Sequence, residues 1–173
     1  DAAAAGADAV VCICLSSLLS ATTASAQNAA RALEGEVDVR VVDSRSISSG
    51  LGSHVIAAVE AARGGASADE VVALVESRRA GTRIVAALDT LENLKKGGRI
   101  GGAQAMLGSL LSVKPCIDIS TGEVKEAGKP RTRKKSFEWL RDRLFAEEQV
   151  QDLAVTHGLA PDIDDFLAMI EPR

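Results

Sequence analysis

Three stretches of this 173-residue chain carry the side chains best suited to chemistry, and each is rich in hydroxyls or glycine. The first, Leu15-Ser16-Ser17-Leu18-Leu19-Ser20-Ala21-Thr22-Thr23, ends an apolar run and opens an alanine-rich one. Hydroxyls and free backbone amides would converge there at the positive end of a helix dipole, a setting that suits a carboxylate or a phosphate. Ordinary capping serines and threonines would give the same composition. The second stretch, residues 43–52, reads Asp-Ser-Arg-Ser-Ile-Ser-Ser-Gly-Leu-Gly. The third, residues 89–102, sets Gly97, Gly98, Gly101 and Gly102 around Arg99. Glycines let backbone approach a ligand closely with a guanidinium beside it, but a tight turn with an exposed arginine has the same spacing. No Gly-Lys-Ser/Thr follows, so this is not a P-loop, and the glycine spacing is not that of a dinucleotide fingerprint.

Other catalytic patterns are missing. His54 and His157 are far apart and fall in no Ser/His/Asp or metal pattern, and His54, near a helix start, reads as structural or solvated. Asp43 and Asp89 each end an expected strand, where they would act as catalytic carboxylates or, in the preferred reading, cap the next turn. Cys12 and Cys14 flank Ile13 and are expected on opposite strand faces; with Cys116 they form no metal set and read as buried free thiols of a reducing cytoplasm. The residues by themselves describe an anion-binding domain with no visible catalytic engine and no metal site.

The elements that must position these loops follow from hydrophobic periodicity. Residues 10–15, 37–42 and 84–88 are short β-branched apolar runs, predicted as buried parallel strands. Helices are predicted over 20–33 and 54–63, and a third follows the capping box Ser67-Ala68-Asp69-Glu70. This alternation predicts an α/β fold in which a parallel sheet is flanked by helices. Beyond residue 101 the pattern changes to a helix at 103–111 and a hairpin of 116–119 with 123–127 about Gly122. A long helix at 132–148, with Phe137, Leu140, Leu144 and Phe145 inward, and a short acidic helix ending near Ile170 complete it. The expected division is a Rossmann-like first domain at 1–88 and part of a second α/β domain, with the hairpin and long helix, at 89–173.

Composition excludes several partners. The chain has three Phe, one Trp and no Tyr, and all four lie beyond residue 136, so base stacking on single-stranded nucleic acid is not supported. The net charge of −4 names no polyanionic partner. Residues 125–143 nevertheless hold eight basic and three acidic side chains, whereas 147–173 hold seven acidic and one basic. No apolar run approaches the ~18 residues of a membrane span and no basic n-region opens the chain, so a cytoplasmic protein is expected.

Four segments in register carry a resemblance: Ser16-Ser17-Leu18-Leu19-Ser20-Ala21-Thr22, Val41-Val42-Asp43-Ser44-Arg45-Ser46, Asp89-Thr90-Leu91-Glu92-Asn93-Leu94-Lys95-Lys96-Gly97-Gly98-Arg99-Ile100-Gly101, and Lys129-Pro130-Arg131-Thr132-Arg133-Lys134-Lys135. Together they resemble the DegV family from about Val10 to Leu144. The resemblance implies a bacterial cytoplasmic carrier that holds a long-chain fatty acid in an apolar tunnel and has no other cofactor. It further implies presentation of the carboxylate to a separate fatty acid kinase, which makes the acyl phosphate, so no catalytic residue is expected in this chain. Ser17 is the hydroxyl implied for the carboxylate, with Ser16, Ser20 and Thr22 as neighbours and Arg99 near its mouth. Arg131, Arg133, Lys134 and Lys135 are implied as the surface that docks the kinase. Ala21 stands where the family motif has Gly, which would reshape the turn. The family's early Thr-Ser-x-Pro segment and its late glycine-rich, histidine-containing segment do not occur here, and Asp1 is not an initiator Met, so a chain shortened at both ends is expected.

Two further readings compete with the carrier: a phosphoryl-transfer or phosphate-binding α/β enzyme that uses the Arg99 loop on a small molecule, and a scaffold with no ligand.

Overall fold

The computed structural model describes residues 3–171, and the side chains of residues 4–106 and 113–171. Two compact units divide the chain: Asp1–Arg83 with Ser120–Glu123, and Ile84–Ile119 with Val124–Arg173.

The first unit is built on β1 (Ala9–Cys14) and β2 (Asp38–Asp43), which pair in parallel from Ala9↔Asp38 to Cys14↔Asp43. Valine and isoleucine dominate both strands because their branched side chains suit a pleated, half-buried surface. Between them runs α1 (Thr22–Ala32), and after them come α2 (Ser48–Arg63) and α3 (Ala68–Arg78). Val42, Ala58, Val71 and Val75 form the core, with Val11 and Ile13 packed against it, so α2 and α3 cover one face of the pair. The alternation of side chains along a strand leaves Cys12, Cys14 and Val41 on the other face, beside α1. This corrects the expected placement of the cysteines: residues two apart on a strand share a face, and the Cys12 and Cys14 sulfurs lie 3.8 Å apart. The capping box at α3 forms as predicted, with the Ser67 hydroxyl accepting from the Glu70 amide and Glu70 reaching back. Helix α2 starts six residues before the expected position, so the 48–53 hydroxyl-glycine stretch forms its first turns instead of a loop.

The second unit holds β3 (Val85–Ala87), β4 (Cys116–Asp118) and β5 (Lys125–Gly128) in an antiparallel sheet of that order. The third predicted strand therefore leaves the parallel sheet, which has two strands among the described residues. Its expected span is nevertheless matched at both ends, since Ile84 O accepts from Ile119 N and the Leu88 amide donates to Pro115 O. The predicted hairpin is β4–β5. Short α4 (Glu92–Lys96) precedes the helical segment expected at 103–111, which takes the tighter 3-10 form over Gly101–Ser112. Helix α5 (Arg133–Phe145) is capped by the Thr132 hydroxyl and buries Phe137, whose ring meets Phe166 of α6 (Ile163–Ile170) at 5.2 Å. Phe145 departs from expectation, standing 61% exposed at the end of α5.

Candidate functional site

The carboxyl ends of β1 and β2 run into the two serine-rich loops, the position where ligands of open α/β sheets collect. Backbone bonds extend the ladder past the strands: the Ser44 amide donates to Cys14 O at 3.0 Å and the Ser16 amide to Ser46 O at 2.9 Å. That zipper brings Ser16, Ser44 and Ser46 together, each with no more than 1% of its surface exposed. The Ser16 hydroxyl donates to Gly122 O at 2.5 Å and accepts from the Leu18 amide at 3.3 Å. The Ser44 hydroxyl accepts from the Ser46 amide at 3.1 Å, whereas the buried Ser46 hydroxyl has no partner among the described residues.

Ser17, next along, is exposed and faces Asp43. Its amide donates to one carboxylate oxygen at 3.1 Å and its hydroxyl to the other at 2.5 Å. Asp43 also accepts from the Arg45 amide at 2.9 Å and pairs with the Arg45 guanidinium at 3.0 Å. Burial pushes the Asp43 carboxyl up, but the bonds from Ser17 and Arg45 and the guanidinium charge outweigh it and hold the group below the usual carboxylate range. Arg45 in this loop and Ser48 at the first position of α2 take positive φ, 53° and 49°, a backbone cost of roughly 1–2 kcal/mol each. Ser20 and Thr22 join through their hydroxyls at 2.8 Å, and the Thr22 amide donates to Ser20 Oγ. Ala21 has φ −74°, which any residue adopts, so this turn does not require the glycine of the family motif.

Ser16, Ser17, Ser20 and Thr22 thus share the first unit with Asp43. Arg99 belongs to the second unit, where its guanidinium donates to Gly97 O at 2.5 Å. The glycines beside it have protein reasons. Gly98, at φ 70°, follows the end of α4, and a Cβ on Gly101 would lie 2.7 Å from Val124 O. Of the predicted docking residues, Arg131 and Lys134 are exposed, and Lys135 pairs with Glu138 at 3.0 Å. Arg133 is engaged within its own unit: it holds Asp162 through two bonds of 2.9 and 3.0 Å and covers the Phe137 ring at 4.6 Å. His54 is fully buried on α2 with Nε2 2.8 Å from Thr82 Oγ1, and His157 accepts from the Ala160 amide in an exposed turn. Asp89 pairs with Lys114 at 2.9 Å. Sequence reasoning placed Ser44 and Ser46 in a loop suited to chemistry but missed Gly122, which read only as a hairpin turn and is joined to the site by the long-range Ser16–Gly122 bond.

A parallel β-α-β unit with buried serines at its carboxyl end, and a second unit of hairpin and helices, define an α/β protein. The chain belongs to the DegV family: residues 1–170 match the family described as "Uncharacterised protein, DegV family". It is 42% identical over 167 residues to a DegV domain-containing protein of Streptomyces coelicolor, covering 94% of this chain and 58% of that one. It is similar to a solved DegV family protein from Thermus thermophilus described by its fatty acid binding, at 40% identity and a TM-score of 0.75, covering 86% of this chain and 53% of that one. A stearic-acid-binding protein from Eubacterium ventriosum matches at 27% identity and a TM-score of 0.72, covering 79% and 47%. The chain therefore spans somewhat over half the length of the curated relative it matches. Among the described residues no helix is long and apolar enough to cross a membrane, and no group of three or more His, Cys, Asp or Glu could hold a metal ion.

Proposed function

We propose that this chain is the part of a fatty-acid carrier that recognises the carboxylate, and that Ser17 is the recognising hydroxyl. The observation that carries the reading is Ser17 itself, exposed at the carboxyl end of β1 and fixed by Asp43 through both its amide and its hydroxyl, in a chain whose relatives are described as fatty-acid-binding. A ligand carboxylate would accept the hydroxyl hydrogen that Asp43 accepts here, while the Ser17 amide and Arg45 keep Asp43 in place. Affinity would come from the acyl chain, at ~0.8 kcal/mol per CH₂ removed from water, and orientation from the hydroxyls. Activation of the carboxylate is assigned to a separate kinase, docked through exposed basic residues of the 131–135 segment, of which Arg131 and Lys134 project freely enough to serve. Arg99 is retained as a cation for ligand or partner. The phosphate-binding alternative loses its main support, because Gly98 and Gly101 answer to α4 and Val124 and need no phosphate to explain them.

Native mass spectrometry of the purified chain, with the full-length Thermus relative as a control, tests this reading. Bound long-chain acids, displaced in Ser17→Ala and weakened in Arg99→Ala, are the expected result. An empty protein that shifts only with nucleotide or inorganic phosphate, while the control carries acid, would overturn it.

A further inference from the structure

We propose that Cys12 and Cys14 form a dithiol site for trivalent arsenic or antimony, the class of electrophile that condenses with two neutral thiols. The two residues alternate with Val11 and Ile13 along β1, so the pleat turns both sulfurs to the α1 face while the valine and isoleucine enter the core. The sulfurs lie 3.8 Å apart and neither is in a disulfide. Helix α1 covers this face with short side chains, burying Thr23 and half-burying Ala26 and Ala30. A shallow depression of about 360 Å³, bounded by Gln27, Ala30, Arg31, Val39 and Val41, opens on the same face, and Val41 is the strand partner of Cys12. Cys12 is itself half-buried, which makes it the first sulfur to be reached, with buried Cys14 behind it.

The chemistry of the pair selects the ligand. Burial, and after it the neighbouring Cys12 sulfur, pushes the Cys14 thiol up to about 11, so it is protonated at neutral pH. Zinc and similar cations need a fuller ligand set than two sulfurs, and no group of three or more His, Cys, Asp or Glu stands here among the described residues. A metalloid hydroxide needs only the pair. As(OH)₃ and two R–SH give (R–S)₂As–OH and two waters: two S–H and two As–O bonds are exchanged for two As–S and two O–H bonds. No electron is transferred, and the product is uncharged, as a buried site requires. A disulfide fits less well. The sulfurs would close from 3.8 Å to about 2.05 Å between residues whose Cα atoms, two apart on an extended strand, stand ~6.6 Å apart at the far edge of the disulfide range. Two bonds to one bridging atom need far less closure of the pair.

Phenylarsine oxide on the intact native chain, read by intact mass, tests the assignment. The expected product is one adduct with the mass of the reagent less one water, stable to a monothiol such as glutathione and reversed by a dithiol. Cys116→Ser keeps it. Cys12→Ser, Cys14→Ser and the corresponding alanine variants each lower the retained adduct at least about tenfold, because the second sulfur acts as an intramolecular ligand. Absence of the adduct from the native chain, its removal by a monothiol, its loss in Cys116→Ser, or its persistence in the Cys12 and Cys14 variants would each overturn the proposal.

Discussion

Replacing Gly122 with alanine probes how the first unit holds its buried serine. Gly122 has φ 88°, and a Cβ built there would lie 2.7 Å from Ser16 Oγ and 3.1 Å from Arg45 O. The backbone alone costs about 1–2 kcal/mol, since an L side chain is disfavoured at this φ. The Cβ must also displace Ser16 Oγ, breaking its 2.5 Å bond to Gly122 O. Ser16 is fully buried, so a hydroxyl driven from its acceptor adds about 1–3 kcal/mol. Gly122→Ala is therefore expected to destabilise the chain by roughly 2–5 kcal/mol, a large share of the ~5–15 kcal/mol of an ordinary domain. Urea denaturation should show a lower midpoint at an unchanged slope. Ser16→Ala removes the atom that the new methyl strikes, so Gly122→Ala should cost about 1–3 kcal/mol less in that background. A stability loss below about 0.5 kcal/mol, or full additivity of the two substitutions, would refute the reasoning.

The two remaining predictions concern pH. The Asp43 carboxyl is held below its ordinary value by Ser17 and Arg45. Its contribution is thus complete above the unfolded value of about 3.9 and lost as pH falls through the lower folded one. Denaturation midpoints from pH 6 down to 3 should fall more steeply for the native chain than for Asp43→Asn, and parallel curves would contradict the assigned bonds. Burial, with Arg78 and Arg79 adding repulsion, lowers the His54 pKa. Thr82 Oγ1 donates to Arg78 O, so it accepts from His54 Nε2–H and leaves buried Nδ1 without a partner among the described residues. The folded ring is neutral, the unfolded chain takes up the proton first, and stability is expected to decline as pH falls below about 6.5. An NMR titration in which the His54 ring follows the curve of a fully solvated imidazole would refute this.

Much of this was legible in the residues. Val10–Val11 and Val41–Val42 announce strands through β-branching, and Ser67 and Glu70 announce a helix start through two reciprocal bonds that need no distant partner. The Ser16-Ser17 and Asp43-Ser44-Arg45-Ser46 segments could be placed beyond strand ends because strand and loop are contiguous in the chain. The apolar run at 84–88 could be recognised as a strand, but its sheet could not: Val-Ala-Ala reads alike whether its neighbour runs parallel or antiparallel, and β4 decides. Phe145 fits the helical stripe of α5, yet nothing in the described structure covers the end of that helix, and the ring stays exposed.

The sequence by itself determined the element types, the family, and the serine, aspartate and arginine side chains from which a carboxylate site could be made, because periodicity, capping and motif order are local properties. Tertiary structure alone decided which of those side chains are engaged. Arg133 is taken up by Asp162 and Phe137, Ser16 by Gly122, and Ser17 by Asp43, across separations of 4 to 106 residues. Hydrogen bonds and ion pairs act only at contact, and which distant groups come into contact is settled when the units fold.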